Sequence, residues 1–288
     1  MVELLYPGYR AYVENRIKVN DAMTALLAGS RLAAHTLQLT AGSSMTLGQV
    51  FPAVEHIGRF NLRSDDARNF LLDADYHLAS VAVPYALATH EDFVMSTLDL
   101  LNAHGRTLVT HGQQVRAWNM HAVLFETLGV PEPDEWMQSF HVLRELRNCI
   151  THVGGSVSSR LRDAIAAMDS AARAGWERIN LGLPPESINQ NGRLALTAEH
   201  IFSAFAVTKR LGREINTAIA IELSKAEWAT VAVDDFAGQT TKPRNSSGWR
   251  RALLGFTRQH YPGLGIVESE LELAARTRGV WTRHRWSD

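Results

Sequence analysis

Arg147, Asn148 and His152 lie in the run Arg147-Asn148-Cys149-Ile150-Thr151-His152, three side chains suited to phosphodiester chemistry. Histidine moves protons near neutral pH, which suits His152 to general acid/base work. Arginine grips phosphate through paired N–H donors and stabilises charge that builds up in a transition state, the part open to Arg147. Asn148 can fix an imidazole ring or a substrate hydroxyl. Together they suit cleavage of RNA by attack of its own 2′-hydroxyl on the adjacent phosphorus, a route that needs no metal.

A helix must position them. Met137, Phe140, Leu143, Leu146, Ile150 and Val153 recur every three or four residues, the spacing of one helical face. Pro131-Glu132-Pro133-Asp134 opens this helix. Gly154-Gly155 closes it, because glycine accepts the left-handed turn that ends many helices. On an ideal helix Asn148 and His152 are adjacent on the polar side, and Glu145 joins the same edge. Arg147 lies about 140° around from His152. Three routes could bring Arg147 to His152: the reach of the arginine, unwinding toward Gly154-Gly155, or a second copy of the helix across a dimer interface. Cys149 sits at the margin of the apolar face and reads as core.

The spacing elsewhere predicts more helices. Pro7 to about Leu39 is one. Residues 40–63 are irregular or hold a short helix. Ser64-Asp65-Asp66 starts a helix that runs through Leu101 with a break or kink near Pro84, which lacks an N–H. Gln113–Leu128 and Arg160 to about Ile179 follow. Gly182–Gly192 is a loop, Arg193–Leu196 a short extended piece, and Thr197 caps a helix reaching about Leu223. From Lys242 on, nine basic residues stand against four acids. With Trp249, Tyr261, Trp281 and Trp286 interleaved, this segment could guide RNA by charge and stacking. The expected domains are 1–63, an N-terminal helical extension; 64–224, a helical bundle; and 225–288, a basic C-terminal appendage of short helices.

A helical bundle with a late Arg-Asn-x-x-x-His helix resembles the HEPN superfamily (higher eukaryotes and prokaryotes nucleotide-binding), whose signature is an Arg and a His separated by a short spacer. Here four residues separate Arg147 from His152, and Asn148 matches the polar residue common after the Arg. The resemblance covers roughly 65–223. It implies an all-α, HEPN-like bundle with an additional N-terminal helix and a small C-terminal appendage. The implied activity is a metal-independent endoribonuclease, a toxin or phage-defence effector, with RNA as substrate and no cofactor. It also implies a homodimer with facing motifs, and an antitoxin or defence-system protein as partner. His152 would be the general acid/base and Arg147 the phosphate contact. Asn148 would orient either, with Glu145 ordering Arg or His from behind. An acid on an earlier helix, Glu91 or its neighbour Asp92, would stand near the site. Catalytically inactive members of such a family imply the alternative, a helical interaction, adaptor or sensor module in a defence complex.

Composition narrows the field. The 288 residues are 45% hydrophobic and 20% charged, with net charge −1, which fits a folded core and argues against sequence-blind polyanion binding over the whole surface. Cys149 is the only cysteine, so no intrachain disulfide can form, in keeping with a reducing cytoplasm. No secretory signal and no membrane span is expected. Asp73, Asp75 and His77 look superficially like metal ligands, but Asp75 points away from the other two and the trio reads as an exposed helix face. No phosphate-binding Gly-rich loop and no nucleophile elbow occurs.

Overall fold

In a computed structural model, the structure describes residues 3–286. The described chain is mostly helical: α1 (Pro7–Leu37), α2 (Leu47–Val50), α3 (Ser64–Leu72), α4 (Ala74–Ala103), α5 (Met120–Thr127), α6 (Asp134–His152), α7 (Ser159–Ala166), α8 (Ser170–Ile179), α9 (Ala198–Glu222), α10 (Lys225–Gln239), α11 (Ser247–His260) and α12 (Glu268–Thr277). The only sheet among the described residues is the antiparallel pair β1 (Asn189–Gln190) and β2 (Arg193–Leu194). None of these helices is long and apolar enough to cross a membrane.

Three boundaries differ from the sequence expectation, each for a local reason. The break before α4 falls at Asp73, and Pro84 sits inside the helix. Ala79, Ala82, Val83, Ala86 and Leu87 around it are buried, and that packing offsets the roughly 3 kcal/mol that an interior proline costs. The helix expected from Gln113 begins only at Met120. Ahead of it the Asn119 side chain accepts from Arg116 N at 2.7 Å and donates to Gln114 O at 3.2 Å, folding the segment into a turn. Arg160–Ile179 is two helices. Asp169 interrupts it, its carboxylate accepting from Ala172 N at 2.8 Å as the cap of α8.

The chain divides into two compact units, and the division falls within α1, α4 and α9. One unit takes the described residues up to Asn15, Thr89–Pro133 and those from Lys209 on. Its core is aromatic: Tyr12 stacks on Phe93 with Tyr9 tilted against both, and Trp249, Trp281 and Trp286 cluster. Buried Asp235 is held by Arg10 at 2.8 Å and by the Tyr261 hydroxyl at 2.9 Å, the pairing a buried carboxylate requires. Arg106 bridges Glu222 and Glu227, and this guanidinium holds the Glu227 carboxyl down at about 2. The other unit comprises Arg16–Ala88 and Asp134–Thr208. In it α6 packs on α7 and α8. Gln138 on α6 donates to Asp169 and accepts from its N–H, both at 2.8 Å, tying α6 to the cap of α8.

One buried pair makes the first unit acid-sensitive. His90 Nε2 lies 2.9 Å from His121 Nε2 with both rings buried, so one ring donates and the other accepts. Burial pushes the His90 imidazole down to about 3. The unfolded chain takes up that proton below about pH 6.5, so the contribution of neutral His90 to stability is complete above that value. It is lost as pH falls toward about 3, by up to ~1.4 kcal/mol per pH unit. Urea unfolding over this window should show a steeper loss for the wild type than for His90→Leu. Parallel pH profiles would contradict the account.

Candidate functional site

The site is built on the last three turns of α6. Pro131 and Pro133 precede it, Asp134 and Glu135 sit in its first turn where acids complement the helix dipole, and His152 closes it. Met137, Phe140, Leu143, Leu146 and Cys149 are buried. Ile150 is half-buried and Val153 exposed, so Cys149 takes the place on the packed face that spacing alone assigned to Ile150. The apolar face therefore rotates slightly, and the motif's polar side turns outward.

On that side His141, Glu145, Asn148 and His152 follow one another at spacings of four, three and four, one stripe along the helix. Glu145 is its buried anchor, only 8% exposed. One carboxylate oxygen accepts from Arg144 at 3.2 Å and the other from Asn148 Nδ2 at 3.2 Å. Glu145 thus orders Asn148 and Arg144. His141 is half-buried, with a buried Nδ1 that has no hydrogen-bond partner among the described residues. Desolvation, with Arg144 beside it, lowers its pKa. His141 and Arg144 were not among the residues chosen from the sequence, although the four-three-four spacing of the stripe was there to read.

His152 is exposed as the last residue of α6, and its side chain makes no hydrogen bond or ion pair among the described residues. Arg147 is half-buried one and a half turns earlier. The helix does not unwind to bring them together: Thr151 Oγ1 still donates to Arg147 O at 2.9 Å. The turn begins only afterwards, with Gly154 at φ +61° and Gly155 at φ +78°, and Gly155 N donating to Cys149 O at 3.1 Å. Arg147 and His152 therefore stay about 140° apart around the axis and about 7.5 Å apart along it. Of the three routes considered from the sequence, unwinding is the one the helix does not take. Glu91 lies on α4 in the other unit, half-buried.

The turn after His152 is held from several sides. Gly155 O accepts from Leu194 N at 2.9 Å, and Val157 N donates to Gly192 O at 2.9 Å. Ser156 thereby bridges to Arg193. Ser158 N donates to Cys149 Sγ at 3.4 Å, while Ser158 Oγ caps α7 by accepting from Leu161 N at 3.1 Å. Cys149 is fully buried, an inert packing thiol in this setting. Among the described residues no group of three or more His, Cys, Asp or Glu gathers to hold a metal ion, and Asp75 pairs with Arg31 at 3.2 Å.

The C-terminal aromatics face inward. Trp249, Tyr261, Trp281 and Trp286 are all buried, so they form core and do not offer faces on which bases could stack. Several arginines of that segment are paired, Arg250 with Glu268, Arg276 with Glu272 and Arg278 with Asp234. No protein-family model, curated protein or solved structure matches the chain.

A Cβ at Gly155 would stand 2.8 Å from the Tyr76 hydroxyl, on a backbone already at positive φ. Gly155→Ala should therefore destabilise by roughly 1–3 kcal/mol, a drop of several degrees in melting temperature. Gly58→Ala, whose Cβ would meet open space, should leave it nearly unchanged. Equal melting temperatures for the two variants would contradict the role given to this turn.

Proposed function

We propose that the protein is a metal-independent endoribonuclease of HEPN type, acting as a homodimer, an effector in a toxin or phage-defence setting. The observation that carries this reading is the end of α6. An exposed His152 closes the helix, Asn148 one turn before it is held by a buried carboxylate, and Arg147 stands beside Asn148. In the reaction the 2′-oxygen bonds to the adjacent phosphorus and the bond from phosphorus to the 5′-oxygen breaks. The products are a 2′,3′-cyclic phosphate and a 5′-hydroxyl. His152 takes the 2′-hydroxyl proton, and the departing oxygen is protonated from solvent. Arg147 neutralises charge on the phosphoryl oxygens. Glu145 acts through Asn148, not on the substrate.

The second reading is a non-enzymatic interaction module. An open, mostly apolar groove of about 380 Å³ favours it, lined in part by Leu26, Phe70 and His77. Exposed apolar surface of this kind suits a protein partner.

Incubating the purified protein with RNA in EDTA separates the two. General acid/base catalysis contributes about 10²–10⁴-fold, so His152→Ala should slow cleavage by at least about 100-fold, and Arg147→Ala by a comparable factor. Cleavage by wild type and both variants at one rate would sink the nuclease reading.

A further inference from the structure

The turn that closes α6 does more than end a helix. It lays residues 155–157 against the β1–β2 hairpin, joined by an isolated antiparallel bridge between Ser156 and Arg193. In this ladder Arg193 occupies the centre, opposite Gln190 on one side and Ser156 on the other. Directly opposed residues share one face of a sheet, so Ser156, Arg193 and Gln190 form a row. The two bonds flanking the Ser156–Arg193 pair run from Leu194 N to Gly155 O and from Val157 N to Gly192 O. That makes it a non-hydrogen-bonded pair, the kind whose Cα atoms approach to about 4.5 Å. The next residue, Leu194, is buried, only 6% exposed. Because side chains alternate along a strand, the row with Arg193 faces outward.

Arg193 is exposed, and its guanidinium has no hydrogen bond or ion pair among the described residues. The row contains a guanidinium, an amide and a hydroxyl, all hydrogen-bond donors, and no carboxylate. Ser156 is four residues beyond His152, so the row starts within about 14 Å of the histidine even for a fully extended chain. Gly155 is fixed from both sides, by α6 through its N–H and by β2 through its carbonyl, so the spacing between row and histidine is built in.

We infer that the Ser156–Arg193–Gln190 row, with Arg193 as its charge, holds the phosphodiester backbone of single-stranded RNA next to the phosphate presented to His152. The inference rests on the ribonuclease reading for its substrate class, but its test reads binding rather than cleavage. A backbone contact of this kind positions RNA without choosing sequence.

The test is anisotropy of a labelled single-stranded RNA oligonucleotide over a salt series, in EDTA, with the His152→Ala protein so that the RNA stays intact. Arg193→Glu should raise Kd at least about 10-fold and lower the slope of log K against log salt by about 0.7, one phosphate contact on a single strand. Arg193→Lys should keep most of the affinity. Arg59→Glu, the same charge change at another exposed arginine of that unit, should shift Kd less than about twofold. Unchanged binding by Arg193→Glu, or a loss matched by Arg59→Glu, would overturn the inference, as would absence of RNA binding by the parent. If wild type binds RNA through Arg193 but does not cleave it, the catalytic reading fails and the inference stands.

Discussion

The site depends on one backbone constraint, the left-handed pair Gly154-Gly155 directly after His152. The Gly155 N–H returns to Cys149 O and ends α6 there. Any residue with a Cβ resists this conformation, and at Gly155 the Tyr76 hydroxyl would also block it. Three consequences follow. His152 sits in the last turn, solvent-exposed. The chain reverses onto β2 and places Arg193 beside the turn. The helix stays regular through the motif, which keeps Arg147 and His152 on different sides of it.

That separation shapes the chemistry. Asn148 is anchored by Glu145, whose burial makes the carboxylate hold its partners tightly, because an unpaired charge there would be costly. The anchor extends along the helix to Arg144 but does not reach around it to unite Arg147 with His152. In the proposed nuclease, a single α6 would present two half-sites. In the proposed homodimer a second α6 would set its Arg147 against the first chain's His152.

Much of this was legible in the residues. Pro133-Asp134 and Gly154-Gly155 bracket α6 as expected, and α1 and α9 begin and end within a few residues of where apolar spacing placed them. The misses came where side chains compete with the helix or packing overrides propensity. Asn119 and Asp169 bond the backbone and cut helices that hydrophobic spacing joined. Pro84 reads as a breaker, yet it lies among buried alanines, Val83 and Leu87, which hold the helix through it. Asn191-Gly192 is the two-residue signal for a tight hairpin, and both take positive φ. The sequence places an extended piece at Arg193–Leu196, but with Asn191-Gly192 read as loop its pairing partners, Gln190 and Ser156, do not follow from it. The C-terminal aromatics read from type and spacing as RNA-stacking groups. Only their burial decides for core.

The central claim is that Arg147 of one copy and His152 of another complete one site. The direct measurement mixes Arg147→Ala protein with His152→Ala protein, each expected to be slowed at least about 100-fold alone, and assays RNA cleavage in EDTA. In a mixed dimer with shared sites, one site keeps both functional residues and the other loses both. Random pairing of equal amounts should then restore about a quarter of wild-type activity. If each chain used its own Arg147 and His152, every site in the mixture would lack one of them. A mixture as inactive as its components, with dimers exchanging freely, would contradict the account.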